Sequence, residues 1–189
     1  MTRKLPALLL TTAFALAACQ NKNAAENNMT TADELNTVDT NMAATGTNTV
    51  AATIDSAFLT EAMKGDNSEV ALGQLAASKG SSKGVKDLGT MLATDHGAHK
   101  KEVAALAQQA GIPVTDDLKD EAKTLMTKLQ GLSGDAFDKA FIDATIEDHK
   151  KDIAAYEKES EANGQTAALA LDTLPTLKKH LETAQSLAK

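Results

Sequence analysis

The chain has 189 residues, of which 42% are hydrophobic and only 3% aromatic, and it carries a formal net charge of −7. This length accommodates one ordinary domain with processing segments and excludes a second domain of the usual size. The negative charge excludes a general affinity for the phosphate backbone of nucleic acids.

The first 18 residues predict a signal peptide. Arg3 and Lys4 supply a positive start, residues 5–16 form an apolar stretch too short to span a bilayer, and two alanines follow. Cys19 comes next, and the order Leu-Ala-Ala-Cys resembles the bacterial lipobox, in which the cysteine thiol receives lipid. We therefore expect a lipid on Cys19 that anchors the chain in a membrane. An ordinary signal peptide followed by an incidental cysteine is the alternative.

Residues 19–50 predict a disordered tether behind this anchor. The segment is rich in Asn and Thr and has no sustained apolar period, so it cannot bury enough surface to offset the entropy of ordering. Cys19 is the only cysteine, which excludes an intramolecular disulfide and a metal site built from several thiolates.

The residue after Cys19 bears on the membrane in which the chain is anchored. Gln20 stands where an aspartate would resemble an inner-membrane retention signal. We therefore expect the outer membrane, facing the periplasm, if the cell is Gram-negative.

From residue 51 onward the apolar positions recur every three or four residues, which predicts a helical domain over residues 51–189. The first predicted helix ends at Gly80. Its stripe comprises Phe58, Ala62, Glu69, Gly73 and Ala76. A second helix is predicted over residues 85–110, and Gly111 followed by Pro113 ends it.

A shorter helix is predicted over residues 116–131. Thr115 is its expected N-cap, and Asp116 and Asp117 provide an acidic first turn. A long helix over residues 135–162 follows, and the Asn-Gly pair behind it is a typical helix stop.

The last predicted helix covers residues 167–184 and contains Pro175. Because proline lacks a backbone donor, we expect a kink near residues 171–174. Four long amphipathic helices with short connections predict an all-α fold, an up-down four-helix bundle with the short helix in the crossover.

Three sequence runs carry a resemblance to a known family. They are EVALGQLAASKGSSKGVKDLGTMLATDHGAHKKEVAALAQQAGI, LSGDAFDKAFIDATIEDHKKDIAAYEKE and LPTLKKHLETAQSL. Together they resemble, over about residues 54–187, the bacterial DUF4142 family, whose activity is not settled. The resemblance implies a ferritin-like bundle. The family's hallmark positions match Asp95, His96, His149, His180 and Leu181 of this chain.

All four histidines fall within predicted helices close to the apolar stripes, which is unusual for a side chain commonly found at surfaces. Three different helices contribute them, Asp95 and His99 share one helix face, and the first helix adds Glu69. One divalent metal ion, Zn, Fe or Mn, is therefore a candidate cofactor. The candidate ligands are Glu69, Asp95, His96, His99, His149 and His180.

The residues argue against a ferritin-type di-iron site. Such a site places a glutamate three residues before its histidine, and Ile146 and Leu177 occupy those positions here.

A buried polar network is the alternative to a metal site, and we favour it over a bound metal. In that network the histidines hydrogen-bond to Asp95, Glu69 or the backbone and fix the register of the helices. His99 fits either arrangement.

These features predict a membrane-anchored envelope lipoprotein whose helical domain is a binding, structural or stress-related module rather than an enzyme. The chain has no recognisable catalytic motif, and no second apolar segment of about 20 residues follows residue 16. The alternative function is a mononuclear metal-binding protein that uses the interior histidines and carboxylates. The expected partners are the membrane, through the lipid, and an envelope protein, with no nucleic acid.

Overall fold

The computed structural model describes residues 53–189, and within them it consists of α-helices without a β-strand, which confirms the predicted all-α class. The predicted signal peptide, Cys19 and the predicted tether lie outside the described residues. None of the helices over residues 53–189 has a window long and apolar enough to cross a membrane. The helices are α1 (Ser56–Lys79), α2 (Lys83–Gln109), α3 (Asp120–Gln130), α4 (Gly134–Ser160) and α5 (Gln165–Leu187).

The helix ends follow local capping chemistry. α1 begins at Ser56, because Oδ1 of Asp55 accepts hydrogen bonds from the N–H groups of Ala57 and Phe58, each at 2.9 Å. α2 ends just before Gly111, whose φ of 69° is in the left-handed region that favours glycine. This helix stop was predicted.

The predicted start of the short helix is wrong by four residues. α3 begins at Asp120, and the expected cap at Thr115 belongs to a segment that precedes it. The amide of Asn67 donates hydrogen bonds to the carbonyl oxygens of Thr115 and Asp117, at 2.9 and 3.1 Å. These contacts with α1 occupy backbone groups that a helical turn would otherwise use, so tertiary contacts override the local capping signal.

The helices pack in neighbouring pairs: α1 contacts α2, α4 contacts α5, and α2 also contacts α5. α1 and α2 approach most closely at two glycines. A Cβ atom added to Gly73 would lie 2.6 Å from the carbonyl oxygen of Gly89, and one added to Gly89 would lie 2.6 Å from that of Gly73. Only glycine therefore allows this backbone contact. Pro175 lies inside α5, and the helix continues beyond it.

The buried apolar side chains form two separate clusters. One contains Leu72, Leu92 and Phe141, and the other contains Leu59, Val103 and Leu177. Each long helix contributes to both clusters and places buried or half-buried polar side chains between them. We call this intervening region the polar layer; its side chains are Asp66, Glu69, Asp95, His96, His99, Asp148, His149, Asp152 and His180. The candidate site lies in this layer.

Candidate metal site in the polar layer

Three imidazole rings from three helices converge in the polar layer. His96 of α2, His149 of α4 and His180 of α5 each offer one ring nitrogen, and these nitrogens lie within 4.8 Å of one another. The rings form a nearly equilateral triangle, with centroids separated by 5.7, 5.3 and 5.3 Å. All three residues are at most 6% exposed. We call these residues the histidine triad.

The outer nitrogen of each ring lies within hydrogen-bonding distance of an oxygen that accepts hydrogen bonds. His149 Nδ1 is 3.1 Å from the carbonyl oxygen of Thr145, and His180 Nε2 is 2.9 Å from Oδ2 of Asp95. His96 Nδ1 is 3.0 Å from Oδ1 of Asp66. Because carbonyl and carboxylate oxygens only accept, each outer nitrogen must carry the hydrogen and donate. In a neutral imidazole the other nitrogen then carries a lone pair.

The lone pairs of the triad are consequently directed at one another. His149 Nε2 and His180 Nδ1 are 3.2 Å apart, and neither has a hydrogen to give if both rings are neutral. His96 Nε2 is buried and has no hydrogen-bond partner. Burial lowers the pKa of His149 to about 3, reinforced by the neighbouring imidazoles, and burial also lowers the pKa of His180. A proton shared between the rings is therefore disfavoured near neutral pH.

The distance between two of the triad nitrogens matches the needs of a tetrahedral metal ion, and the third nitrogen lies within 4.8 Å of both. Nitrogen ligands about 2.1 Å from such an ion lie about 3.4 Å apart, close to the 3.2 Å between His149 and His180. Hydrogen bonds from the outer nitrogens to a carboxylate or a carbonyl are the arrangement that orients histidine ligands in metal proteins. The residues present therefore fit a metal ion with three imidazole ligands.

Asp66 of α1 joins the triad to the fourth histidine. Its carboxylate accepts a hydrogen bond from His96 and also from His99, whose Nδ1 lies 2.9 Å from Oδ2. Burial alone would raise the pKa of Asp66, but the hydrogen bonds from both imidazoles hold it below its ordinary value. His99 packs beside Tyr156, with ring centroids 5.8 Å apart. It lies outside the triad.

Glu69 lies in a different part of the polar layer. It shares a hydrogen bond with Asp148, and burial followed by the charge of Asp148 raises the pKa of Glu69 well above its ordinary value. The raised pKa favours the uncharged form of Glu69, which can donate a hydrogen bond to Asp148. Lys119, from the segment before α3, approaches the same region, with Nζ 3.3 Å from Oδ1 of Asp152.

The six predicted ligands thus separate into three groups. His96, His149 and His180 face one another, Asp95 supports His180 from outside, and Glu69 and His99 make the separate contacts described above. Sequence reasoning missed Asp66. The signal was present, because Asp66 occupies the stripe position four residues after Ala62 and three before Glu69. A charged residue at a core-facing position of a helix requires a buried partner.

Sequence comparison connects this arrangement to a family. The family model described as a domain of unknown function, DUF4142, matches residues 39–187. No curated protein and no solved structure matches the chain. The matched residues include α1 to α5 and every residue of the histidine triad. The chain belongs to the DUF4142 family.

Proposed function

We propose that this protein binds one divalent transition-metal ion at the histidine triad. The observation that carries the proposal is the convergence of three ring nitrogens, one from each imidazole. The other nitrogen of each ring already donates a hydrogen bond to an oxygen acceptor. A proton cannot bridge three neutral nitrogens at once, whereas a metal ion accepts all three lone pairs.

The charge around the triad also favours a cation. The carboxylates of Asp66 and Asp95 contact its rings directly. The imidazoles are themselves uncharged when their lone pairs are free. A dication at the triad would therefore offset negative charge that the fold holds in a poorly solvated region.

Zinc is the ion that the ligand set fits best. Neutral imidazoles suit Zn²⁺, and also Fe²⁺, whereas Mn²⁺ prefers carboxylate and water oxygens. The ligands are nearly completely buried, so a substrate would reach the ion only after the helices separate. This burial supports stable binding of the ion, for structure, storage or sensing, over catalysis at the metal.

Metal content distinguishes this proposal from the polar network favoured by the sequence. We would purify the full chain without a metal-binding tag, reconstitute it with Zn²⁺, Fe²⁺ or Mn²⁺, and measure bound metal by elemental analysis. We expect about one ion per chain and its loss in the His149→Ala, His180→Ala double variant. A wild-type chain that retains none of the three metals would contradict the proposal and leave a polar network.

His96→Ala and His99→Ala form a matched pair for this experiment. Both residues lie on α2, are buried, and donate to Asp66. Only His96 presents a nitrogen to the triad. We expect His96→Ala to lose at least nine-tenths of the bound metal and His99→Ala to retain most of it. Circular dichroism of both variants would establish that the helices form.

The envelope setting is a further part of the proposal. We propose that Cys19 carries lipid, that residues 19–50 form the tether, and that the protein faces the periplasm from the outer membrane. The order of charges, apolar residues and small residues before Cys19 supports this. Labelling with an alkyne-bearing fatty acid tests it: Cys19→Ala should abolish the label, and unchanged labelling would contradict lipidation there.

We also propose that the domain is a ferritin-like up-down four-helix bundle with α3 in the crossover. Short connections join α1 to α2 and α4 to α5, whereas residues 110–133 connect α2 to α4. Short connections between packed helices favour antiparallel neighbours. An experimental structure of the full chain in which α1 and α2 run parallel would overturn this assignment.

A further inference from the structure

A cavity of about 270 Å³ lies beside the polar layer, between α1, α3 and α4. One end of the cavity is apolar, because Leu72, Leu125 and Phe141 line it and belong to or pack on the same hydrophobic cluster. The other end is polar and contains Glu69 and Asp148. Glu69 lies about one helical turn from Leu72 along α1, and Asp148 lies about two turns from Phe141 along α4. The cavity is therefore amphipathic along its length, and we call it the amphipathic cavity.

The polar end offers carboxyl groups to a ligand more readily than ammonium groups. Its two lysines already have partners: Lys119 pairs with Asp152 at 3.3 Å, and Lys151 pairs with Glu147 at 2.8 Å. Glu69, which is 3% exposed, and Asp148 line the same end, and neither belongs to an ion pair found among the described residues. A ligand cation that contacts both side chains would supply the oppositely charged partner that buried carboxylates require.

We propose that the amphipathic cavity binds a small primary monoamine in its alkylammonium form. The ammonium group donates hydrogen bonds to Glu69 and Asp148, and the alkyl tail lies along the apolar end. By volume the cavity holds about nine water molecules, which corresponds to a ligand of roughly six to nine non-hydrogen atoms. A diamine fits poorly, because its second ammonium would lie among apolar side chains. The proposal goes beyond metal binding and does not depend on it.

Titration of the full chain with pentylammonium chloride, followed by calorimetry, tests the assignment. Pentanol has the same tail without the charge, and pentanoate has the opposite charge. We expect pentylammonium to bind at least tenfold more tightly than either. Each methylene added between propyl- and pentylammonium should tighten binding about fourfold. Metal-loaded protein and the His149→Ala, His180→Ala variant should give the same affinities, which separates this result from the outcome of the metal experiment.

Three variants locate the binding site. Glu69→Gln keeps the size and polarity of the side chain but cannot become charged when an ammonium ligand binds, and we expect at least a tenfold loss of pentylammonium affinity. Leu125→Trp would fill the apolar end and abolish binding. Glu102→Gln, at an exposed position of α2, is the matched control and should have no effect. The proposal is overturned by pentanoate binding as tightly as pentylammonium, by equal binding of pentanol, by no saturable binding, or by unchanged affinity in Glu69→Gln.

Discussion

At the residue scale, the properties of the triad depend on the groups behind the rings. Asp66, Asp95 and the carbonyl of Thr145 each take the hydrogen of one imidazole. These acceptors come from two side chains and one backbone group, on α1, α2 and α4. They determine which nitrogen of each ring has its lone pair free, so the arrangement of the triad depends on groups outside the triad.

Asp95→Asn tests this dependence. An amide supports the Nε2 hydrogen of His180 less strongly than a carboxylate, so we expect zinc affinity to fall about 10- to 100-fold. Competition with a chromophoric chelator measures the affinity. Asp87→Asn changes a solvent-exposed acid on the same helix, one that pairs only with Lys83 among the described ion pairs. It should leave the affinity unchanged, and an equal loss in both variants would show that general charge, not orientation of His180, is responsible.

The residue scale also shows where sequence reasoning was sufficient and where it was not. His96, His149 and His180 were all identified as candidate ligands, because histidine within an amphipathic stripe is conspicuous. Glu69 was included because it is a charged residue within an amphipathic stripe, yet it faces Asp148. A stripe covers a wide arc of the helix surface, and side chains on the same stripe of α1 therefore reach different neighbours.

At the element scale, the ends of the helices are supported by side chains from distant parts of the chain. Asp138 of α4 accepts hydrogen bonds from the N–H groups of Ser81 and Ser82 at the beginning of α2, each at 2.7 Å. Burial would raise the pKa of Asp138, but these bonds hold it below the ordinary value of 3.8. The charged carboxylate thus satisfies backbone donors that α2 leaves open.

Asp138→Asn should reduce the free energy of unfolding by about 1–3 kcal/mol at pH 7, because the two backbone donors lose a charged acceptor. Since the folded pKa is depressed, the stabilisation is present above pH 3.8 and is lost as the pH falls through the folded pKa. The difference between wild type and variant should therefore shrink at low pH, as measured by urea unfolding.

Asp143→Asn is the control for this prediction, since Asp143 is exposed on the same helix and pairs with Lys139. Its effect should stay within about 0.5 kcal/mol. A difference for Asp138→Asn that stays constant from pH 7 to pH 3 would mean that the charge of the carboxylate is not what stabilises α2.

Some helix ends are set by the local sequence and others by tertiary contacts. The end of α2 at Gly111 follows from the sequence, because the residue itself tolerates the left-handed conformation. The beginning of α3 does not, because Asn67 holds the backbone of the preceding segment from α1. The close contact at Gly73 likewise has no local signature that distinguishes it from any other small residue in the stripe.

At the scale of the whole molecule, the polar layer divides the core and joins the four long helices. The triad connects α2, α4 and α5, and Asp66 connects α1 to His96. An ion bound to the triad therefore contacts three helices that separate when the protein unfolds. Binding only to the folded state stabilises that state in proportion to the logarithm of the free ligand concentration.

Zinc at about 100 times its dissociation constant should add about 2.7 kcal/mol to the free energy of unfolding. For a domain of this size we expect the Tm to rise by roughly 10 °C. Thermal unfolding followed by circular dichroism, with zinc or with a chelator, measures the shift. The His149→Ala, His180→Ala double variant should show no increase, and an equal increase there would point to zinc bound at surface carboxylates.

The sequence by itself determined the all-α class, the number of helices and the histidines to consider, because apolar periodicity and glycine stops are local properties of the chain. Only the tertiary structure decided which ring nitrogens meet, which acceptor holds the outer nitrogen of each ring, and that Glu69 and His99 lie apart from the triad. These facts depend on how helices distant in sequence are rotated and shifted against one another. A repeat of three or four residues identifies the buried face of a helix, but not the neighbour that each side chain meets.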